Sequence, residues 1–254
     1  GATNPWWVSY SKRTAFAARA RRGEVRAALE GFAAQAPPSA RVRWPRSAPL
    51  LAMVSGTPPP PVPAPTPEDT TYQAMITRGR LLAMAGDVRG ARRQLEALRR
   101  SKPDDRARAG AADLFLEASI AAAEGRWGDV VRVLGPVARR GDDGGQNFWG
   151  RVEIPAERWL VADAWDHLGP PDSAAAAFEL VLEPPESRGL EFFPVYAHQR
   201  LVMIYARLGR REDAERHWEA FSKAFTKPDP EVRHLLNDAR SAIQGLRAMA
   251  PESG

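Results

Sequence analysis

Leu81-Leu82-Ala83-Met84-Ala85-Gly86-Asp87-Val88-Arg89-Gly90-Ala91 reads as the end of one helix, a glycine, a short polar turn and the start of a second helix. Ile120-Ala121-Ala122-Ala123-Glu124-Gly125-Arg126-Trp127-Gly128-Asp129-Val130 repeats that order, and so does Tyr205-Ala206-Arg207-Leu208-Gly209-Arg210-Arg211-Glu212-Asp213-Ala214. With Gly169 the glycines fall at intervals of 39, 44 and 40 residues. A period in this range signals stacked helical hairpins, each of which buries its apolar side only by leaning on a neighbour. The expectation is an all-α binding scaffold rather than an enzyme.

The chain has 254 residues, enough for a sizeable core, and its 44% hydrophobic and 26% charged content is that of a soluble globular chain. No run approaches the roughly 18 apolar residues of a membrane span. The absence of cysteine excludes disulfides, thiolate catalysis and cysteine-based zinc or iron–sulfur sites. A first residue of glycine fits Met removal, a cleaved export signal or an excised fragment alike.

Three regions follow from composition. Residues 1–55 form a basic, aromatic-led arm. The first 50 residues carry a net +7 against +5 for the whole chain, so the arm should prefer an anionic partner. A helical hairpin is predicted from Ser11 to about Gln35 around Gly23, with Phe16, Val25, Leu29 and Phe32 on facing stripes, as a degenerate first repeat. Residues 56–69 include Pro58-Pro59-Pro60-Pro61-Val62-Pro63-Ala64-Pro65-Thr66-Pro67, short of amide donors and predicted as an extended polyproline strap. Residues 70–254 read as all-helical, with helix starts near Pro67, Pro103 and Pro230. The amphipathic segment after Pro230 is expected to close the array.

These residues resemble the tetratricopeptide-repeat family. Gly79, Leu82, Gly86, Val88, Ala91, Leu95 and Pro103 stand at that family's small, apolar, turn and terminal proline positions. Tyr205, Gly209, Ala214, Trp218 and Phe221 match in the fourth unit, and Ala162, Trp165, Gly169, Ala174 and Phe178 in the third. The second unit, with Ala118, Ala121, Gly125, Trp127, Val130 and Leu134, lacks the alanine of the second helix. The resemblance implies a TPR-like right-handed helical-hairpin solenoid, with a capping C-terminal helix and an extended Pro-rich segment. Intervals longer than the family's ~34 residues imply longer loops and a less regular superhelix. Residues 192–242 are also similar to the end of repeat regions attached to bacterial Ser/Thr kinases and transcriptional regulators, but no kinase loop or DNA-reading helix accompanies them.

No residue pattern points to catalysis. His167, His198, His217 and His234 make no metal spacing, and only His198 and His217 are placed to meet across the last hairpin. An enzyme would need a convergent polar pocket around those two. Asp104-Asp105 reads as a helix start, and Asp142-Asp143 as a plain turn rather than a calcium loop. No cofactor and no metal ligand set is expected.

Trp127, Trp159, Trp165 and Trp218 fall inside helical patterns and read as core. Trp6, Trp7 and Tyr10, beside Lys12 and Arg13, and Phe148 with Trp149 lie in Pro- or Gly-rich segments, where partner contact and local packing both remain open. With Arg19, Arg22, Phe192 and Phe193 they are the candidate partner-binding residues. Nucleic acid is disfavoured, because the array is slightly acidic and arginine exceeds lysine throughout, as GC-rich coding produces.

The functional expectation is a non-catalytic protein–protein interaction scaffold, an extrinsic subunit that docks on other subunits of a membrane-associated bacterial complex and touches an anionic membrane surface. A photosynthetic reaction centre with its antenna is one such setting, and the periplasmic face is preferred to the cytoplasmic. The alternative is the sensory, ligand-binding repeat region of a bacterial kinase or regulator.

Overall fold

The structure, a computed structural model, describes residues 15–34, 47–62, 72–100, 112–139, 154–183 and 192–249. Their regular structure is all helical, with no strand among the described residues. In chain order the helices are α1 (15–22), α2 (Val25–Ala34), α3 (Ser47–Ser55), α4 (Tyr72–Met84), α5 (Val88–Arg100), α6 (Ala112–Ala123) and α7 (Trp127–Arg139). They continue as α8 (Ile154–Leu168), α9 (Pro171–Leu182), α10 (Phe193–Arg207), α11 (Arg211–Ala224), a 3-10 turn at Pro230–Val232, and α12 (Arg233–Ala248). The segment from Thr57 to Val62 carries no helix, as its prolines dictate.

Four pairs form, α4 with α5, α6 with α7, α8 with α9 and α10 with α11, and each turns at one of the four glycines. Gly86 shows why glycine is used: at φ +81° it sits where a side chain is strained. In that conformation Gly86 N donates to Ala83 O (3.0 Å) and Asp87 N donates to Leu82 O (2.9 Å), satisfying carbonyls that the ending helix leaves open. Asp87 then accepts from Gly90 N at 2.8 Å and caps the next helix. Gly125 and Gly209 close their turns by the same two backbone bonds.

Stacking follows chain order. The first helix of each pair packs on both helices of the pair before it: α6 on α4 and α5, α8 on α6 and α7, α10 on α8 and α9. Helix α12 continues the rule by packing on α10 and α11, burying Ala239, Ile243 and Leu246. The segment after Pro230 thus closes the described end of the stack, after one 3-10 turn.

The described part of the N-terminal region shares this core. Helices α1 and α2 pair around Gly23, and Phe16, Ala17, Ala20, Val25 and Ala28 are buried with Phe225 and Val232 from the far end of the chain. Polar bonds fix the join. Lys227 N donates to Arg22 O (2.8 Å), Asp229 N to Gly23 O (2.9 Å) and Tyr196 Oη to Ala20 O (3.2 Å). Asp229 accepts from Arg26 N at 2.7 Å, which caps α2, and Arg26 also pairs with Glu231. Helix α3, apolar on nearly every side, buries Leu50, Leu51 and Val54 and contacts α2, α4 and α10.

Gly23 combines a φ of +88° with crowding: an added Cβ would lie 2.8 Å from both Phe225 Cζ and Pro228 Cα. Gly209, at φ +69°, has open space around it. Gly209→Ala should therefore cost about 1–2 kcal/mol, the left-handed backbone penalty alone. Gly23→Ala should cost visibly more in urea unfolding, because the join between chain ends must also shift.

Candidate functional site

The histidine pair meets. His198 on α10 and His217 on α11 place their Nδ1 atoms 2.8 Å apart, with His217 buried. On its other side His217 Nε2 lies 3.1 Å from Glu179 Oε1 of α9. Tyr205 donates to the same carboxylate at 2.9 Å and stacks on the His217 ring, centroids 5.5 Å apart. A carboxylate only accepts, so the shorter contact, to Glu179, places the His217 hydrogen on Nε2 and lets Nδ1 accept from His198 Nδ1–H. Arg216 Nη2 lies farther from Nε2, at 3.3 Å.

Burial and the neighbouring His217 push His198 down to about 4. Burial likewise lowers His217, with Glu179 opposing and the Arg216 charge adding to it. Burial raises Tyr205 to about 12, helped by its bond to Glu179. Both imidazoles are therefore neutral near pH 7, and Tyr205 keeps its proton. Glu179 sits opposite the facing Nδ1 atoms, so the three cannot converge on one ion, and no metal-holding group of three occurs among the described residues. The cluster joins α9, α10 and α11 by hydrogen bonds, and it lines neither of the two cavities below. Polar groups do gather at the pair, and among them Glu179 and Tyr205 are bonded within the cluster.

A cavity of ≈ 300 Å³ lies between α3 and the first helices of the pairs. Its walls include Leu50 and Met53 of α3, Arg80 of α4, Phe115 of α6, Trp127 of α7 and Asp163 of α8. The buried Arg80 guanidinium stacks 3.7 Å over the Phe115 ring, which suits a desolvated cation. Arg200 holds Asp163 at 2.9 Å and Asp166 at 2.8 Å, and Arg207 pairs with Asp166 as well. Burial raises the Asp163 carboxyl despite Arg200. Trp127 is half-buried and stacks on His167 with ring centroids 3.9 Å apart.

A second cavity of ≈ 240 Å³, between α7, α8 and α9, is edged by Arg158. Arg158 is buried and donates to Ala138 O (3.2 Å) and Leu180 O (2.7 Å), and its Nη2 lies 3.4 Å from Glu183. It thus caps the C-terminal ends of two helices at once, where a cation suits the helix dipole. Both Arg80 and Arg158 escaped sequence reasoning as structural residues. The available signal was position: Arg80 stands in the apolar stripe Ile76, Arg80, Ala83, and Arg158 in the stripe Arg158, Val161, Ala162, Trp165.

The predicted contact residues separate. Trp6, Trp7, Tyr10, Lys12, Arg13, Phe148 and Trp149 lie outside the described residues. Arg19 is exposed, and Arg22 is bound to Glu24 at 2.6 Å. Phe192 and Phe193 are a correction: both are fully buried, their rings stacked 4.9 Å apart, with Trp159 edge-on to Phe193. They start α10 and plug it onto α8 and α9, so they are core and not a contact surface. Of the tryptophans read as core, Trp159 is buried, whereas Trp127, Trp165 and Trp218 are half-buried at its margin.

No family model matches the chain, and comparison with curated proteins and solved structures returns no match.

The histidine pair predicts a pH dependence of stability. An imidazole whose folded pKa lies below the ordinary value of 6.5 takes up its proton more readily when unfolded. Its stabilising contribution is complete above about pH 6.5 and is lost as pH falls toward about 4. The melting temperature of the wild type should drop between those limits, and His198→Gln should flatten that part of the profile in thermal melts.

Proposed function

We propose that this chain is a non-catalytic protein–protein interaction scaffold, an extrinsic accessory subunit that docks on and holds together a larger membrane-associated bacterial complex. A photosynthetic reaction centre–antenna assembly is a setting of this kind. The single observation that carries the reading is the packing rule of the four pairs, in which each first helix leans on both helices of the preceding pair. That rule supports a TPR-like right-handed solenoid, a form used to present extended surfaces to other proteins. No helix among the described residues is long and apolar enough to cross a membrane, so attachment to a bilayer complex would be from outside its core.

The seating of α3 refines the mode of binding. The first-helix face, which would be the concave side of such a solenoid, is already covered by Pro49, Leu50 and Met53. A standard peptide-in-groove mode is therefore replaced, and the contact falls to the outer faces and to the basic aromatic arm with Trp6, Trp7, Lys12 and Arg13. The test is gentle extraction followed by native sizing and identification of what travels with the chain. Stable migration with integral membrane proteins, reduced when Trp6, Trp7, Lys12 and Arg13 are replaced together by alanine, is the expected result. Migration as a free monomer would sink the reading.

The cavity beneath α3 favours a second reading, a ligand-sensing region of a kinase or regulator. Its volume stands at the lower end of small-molecule sites, and its lining is mostly apolar with a few polar groups. On this reading a metabolite screen should find a compound that raises the melting temperature of the wild type. Filling the cavity with Ser119→Trp should abolish the shift.

A further inference from the structure

The charge of the array is not spread evenly. Residues 72–100 carry a net +5 and residues 101–254 a net −5, a division hidden when the chain beyond residue 50 is summed as slightly acidic. The excess stands on one helix. On α5 the exposed residues are Arg89, Arg92, Arg93, Glu96, Arg99 and Arg100, and at 100° per residue they share an arc of about 120°. The buried Ala91, Leu95 and Leu98 lie on the opposite side. At 1.5 Å per residue the row is about 16 Å long.

Ion pairing is sparse along this row, as it also is at the scattered positions Arg139, Lys223, Arg233 and Arg240, but among the described residues only α5 sets three unpaired arginines on one face. Among the described residues, Arg126, Arg132, Arg207, Arg210, Arg216 and Arg247 each have at least one carboxylate in ion-pair contact. On α5 only the edge residues do, Arg92 to Glu124 and Arg99 to Glu117, both at 2.5 Å across to α6 or its turn. Arg89, Arg93 and Arg100 have no acidic partner among the described residues. Coding bias toward arginine accounts for the residue type but not for a face that sets five arginines against the single acid Glu96.

Three unpaired arginines over ~16 Å leave this face with a net positive charge that the one acid among them, Glu96, does not cancel. We infer that the outer face of α5 is a docking surface for the anionic headgroups of a phospholipid bilayer, an inference that rests on reading the chain as a subunit at a membrane. Electrostatic adsorption needs no insertion, and the exposed side of α5 offers none: it has no aromatic or aliphatic residue to anchor in a protein pocket, as a protein hot spot would require. Nucleic acid fits less well. Helix α5 is flanked by α4 and α6, so it presents a flat strip, and the neighbours bar it from a major groove only about 12 Å wide. Stacking platforms for single strands are likewise missing from this face.

The experiment is flotation of the full chain with phosphatidylcholine vesicles, with and without phosphatidylglycerol, at low and high salt. Binding should require phosphatidylglycerol and fall with salt. Replacing Arg89, Arg93 and Arg100 together by glutamine should weaken it about 100-fold, near fivefold for each arginine at a charged membrane surface. A matched variant, Lys223→Gln with Arg233→Gln and Arg240→Gln, removes three exposed charges elsewhere and should leave binding unchanged. Because all six positions are exposed, melting curves should show both variants folded. Equal weakening by the two variants, unaltered binding by the α5 variant, tighter binding to duplex DNA or RNA, or no vesicle binding by the wild type would each overturn the inference. A wild type that ignores vesicles yet migrates with membrane proteins would leave the subunit reading standing. Vesicle binding through α5 without any co-migrating protein would do the reverse.

Discussion

Each helical pair of this chain has an apolar side that its own two helices cannot cover, and the structure is arranged around that deficit. The next pair covers it by setting its first helix against both, and α12 covers the last one. The left-handed glycine turns make the arrangement possible, because they reverse the chain within two or three residues while satisfying the carbonyls at the end of the first helix. The remaining open side, formed by the first helices, receives α3. Its Leu50, Leu51 and Val54 are nearly inaccessible, and each contributes about 1.5–3 kcal/mol when fully buried.

The same need explains the join between α1, α2 and the segment from Phe225 to Val232. A short two-helix unit of this size buries too little to stand alone. It gains a core by packing Phe16, Ala20 and Val25 against Phe225, and its turn carbonyls at Arg22 and Gly23 accept the amides of Lys227 and Asp229. The basic N-terminal region is therefore partly an element of the fold. Any partner-binding arm begins before α1.

Polar groups enter the interior where helix ends and helix crossings demand them. Arg158 satisfies carbonyls from two helices, and Arg80 exchanges water for the face of Phe115. His198, His217, Tyr205 and Glu179 form a chain of hydrogen bonds across three helices. Burial keeps both imidazoles neutral, and neutrality makes their direct contact tolerable. On the surface many carboxylates are drawn into ion-pair networks along α6 to α12, and α5 carries the densest run of unpaired arginines on one face among the described residues.

Much of the fold was legible in the sequence because its signals are local. A glycine followed by a polar turn between two apolar helical stripes permits a left-handed turn that other residues resist, so Gly23, Gly86, Gly125, Gly169 and Gly209 marked the pairs, and their spacing marked the stack. The closing helix was legible for the same reason. The encounter of His198 with His217 could be anticipated, since one hairpin joins them. The tertiary structure alone decided what depends on residues distant in sequence. Phe192 and Phe193 look like loop aromatics in their own neighbourhood and become core only because α8 and α9 lie over them. Arg158 and Arg80 look like surface charges until the helices they serve are in place. Tyr196 bonds Ala20, 176 positions away, and no periodicity records such a contact. Local backbone sterics and apolar spacing act within a few residues and can be read from the chain. Burial depends on which distant surfaces meet, and only packing decides that.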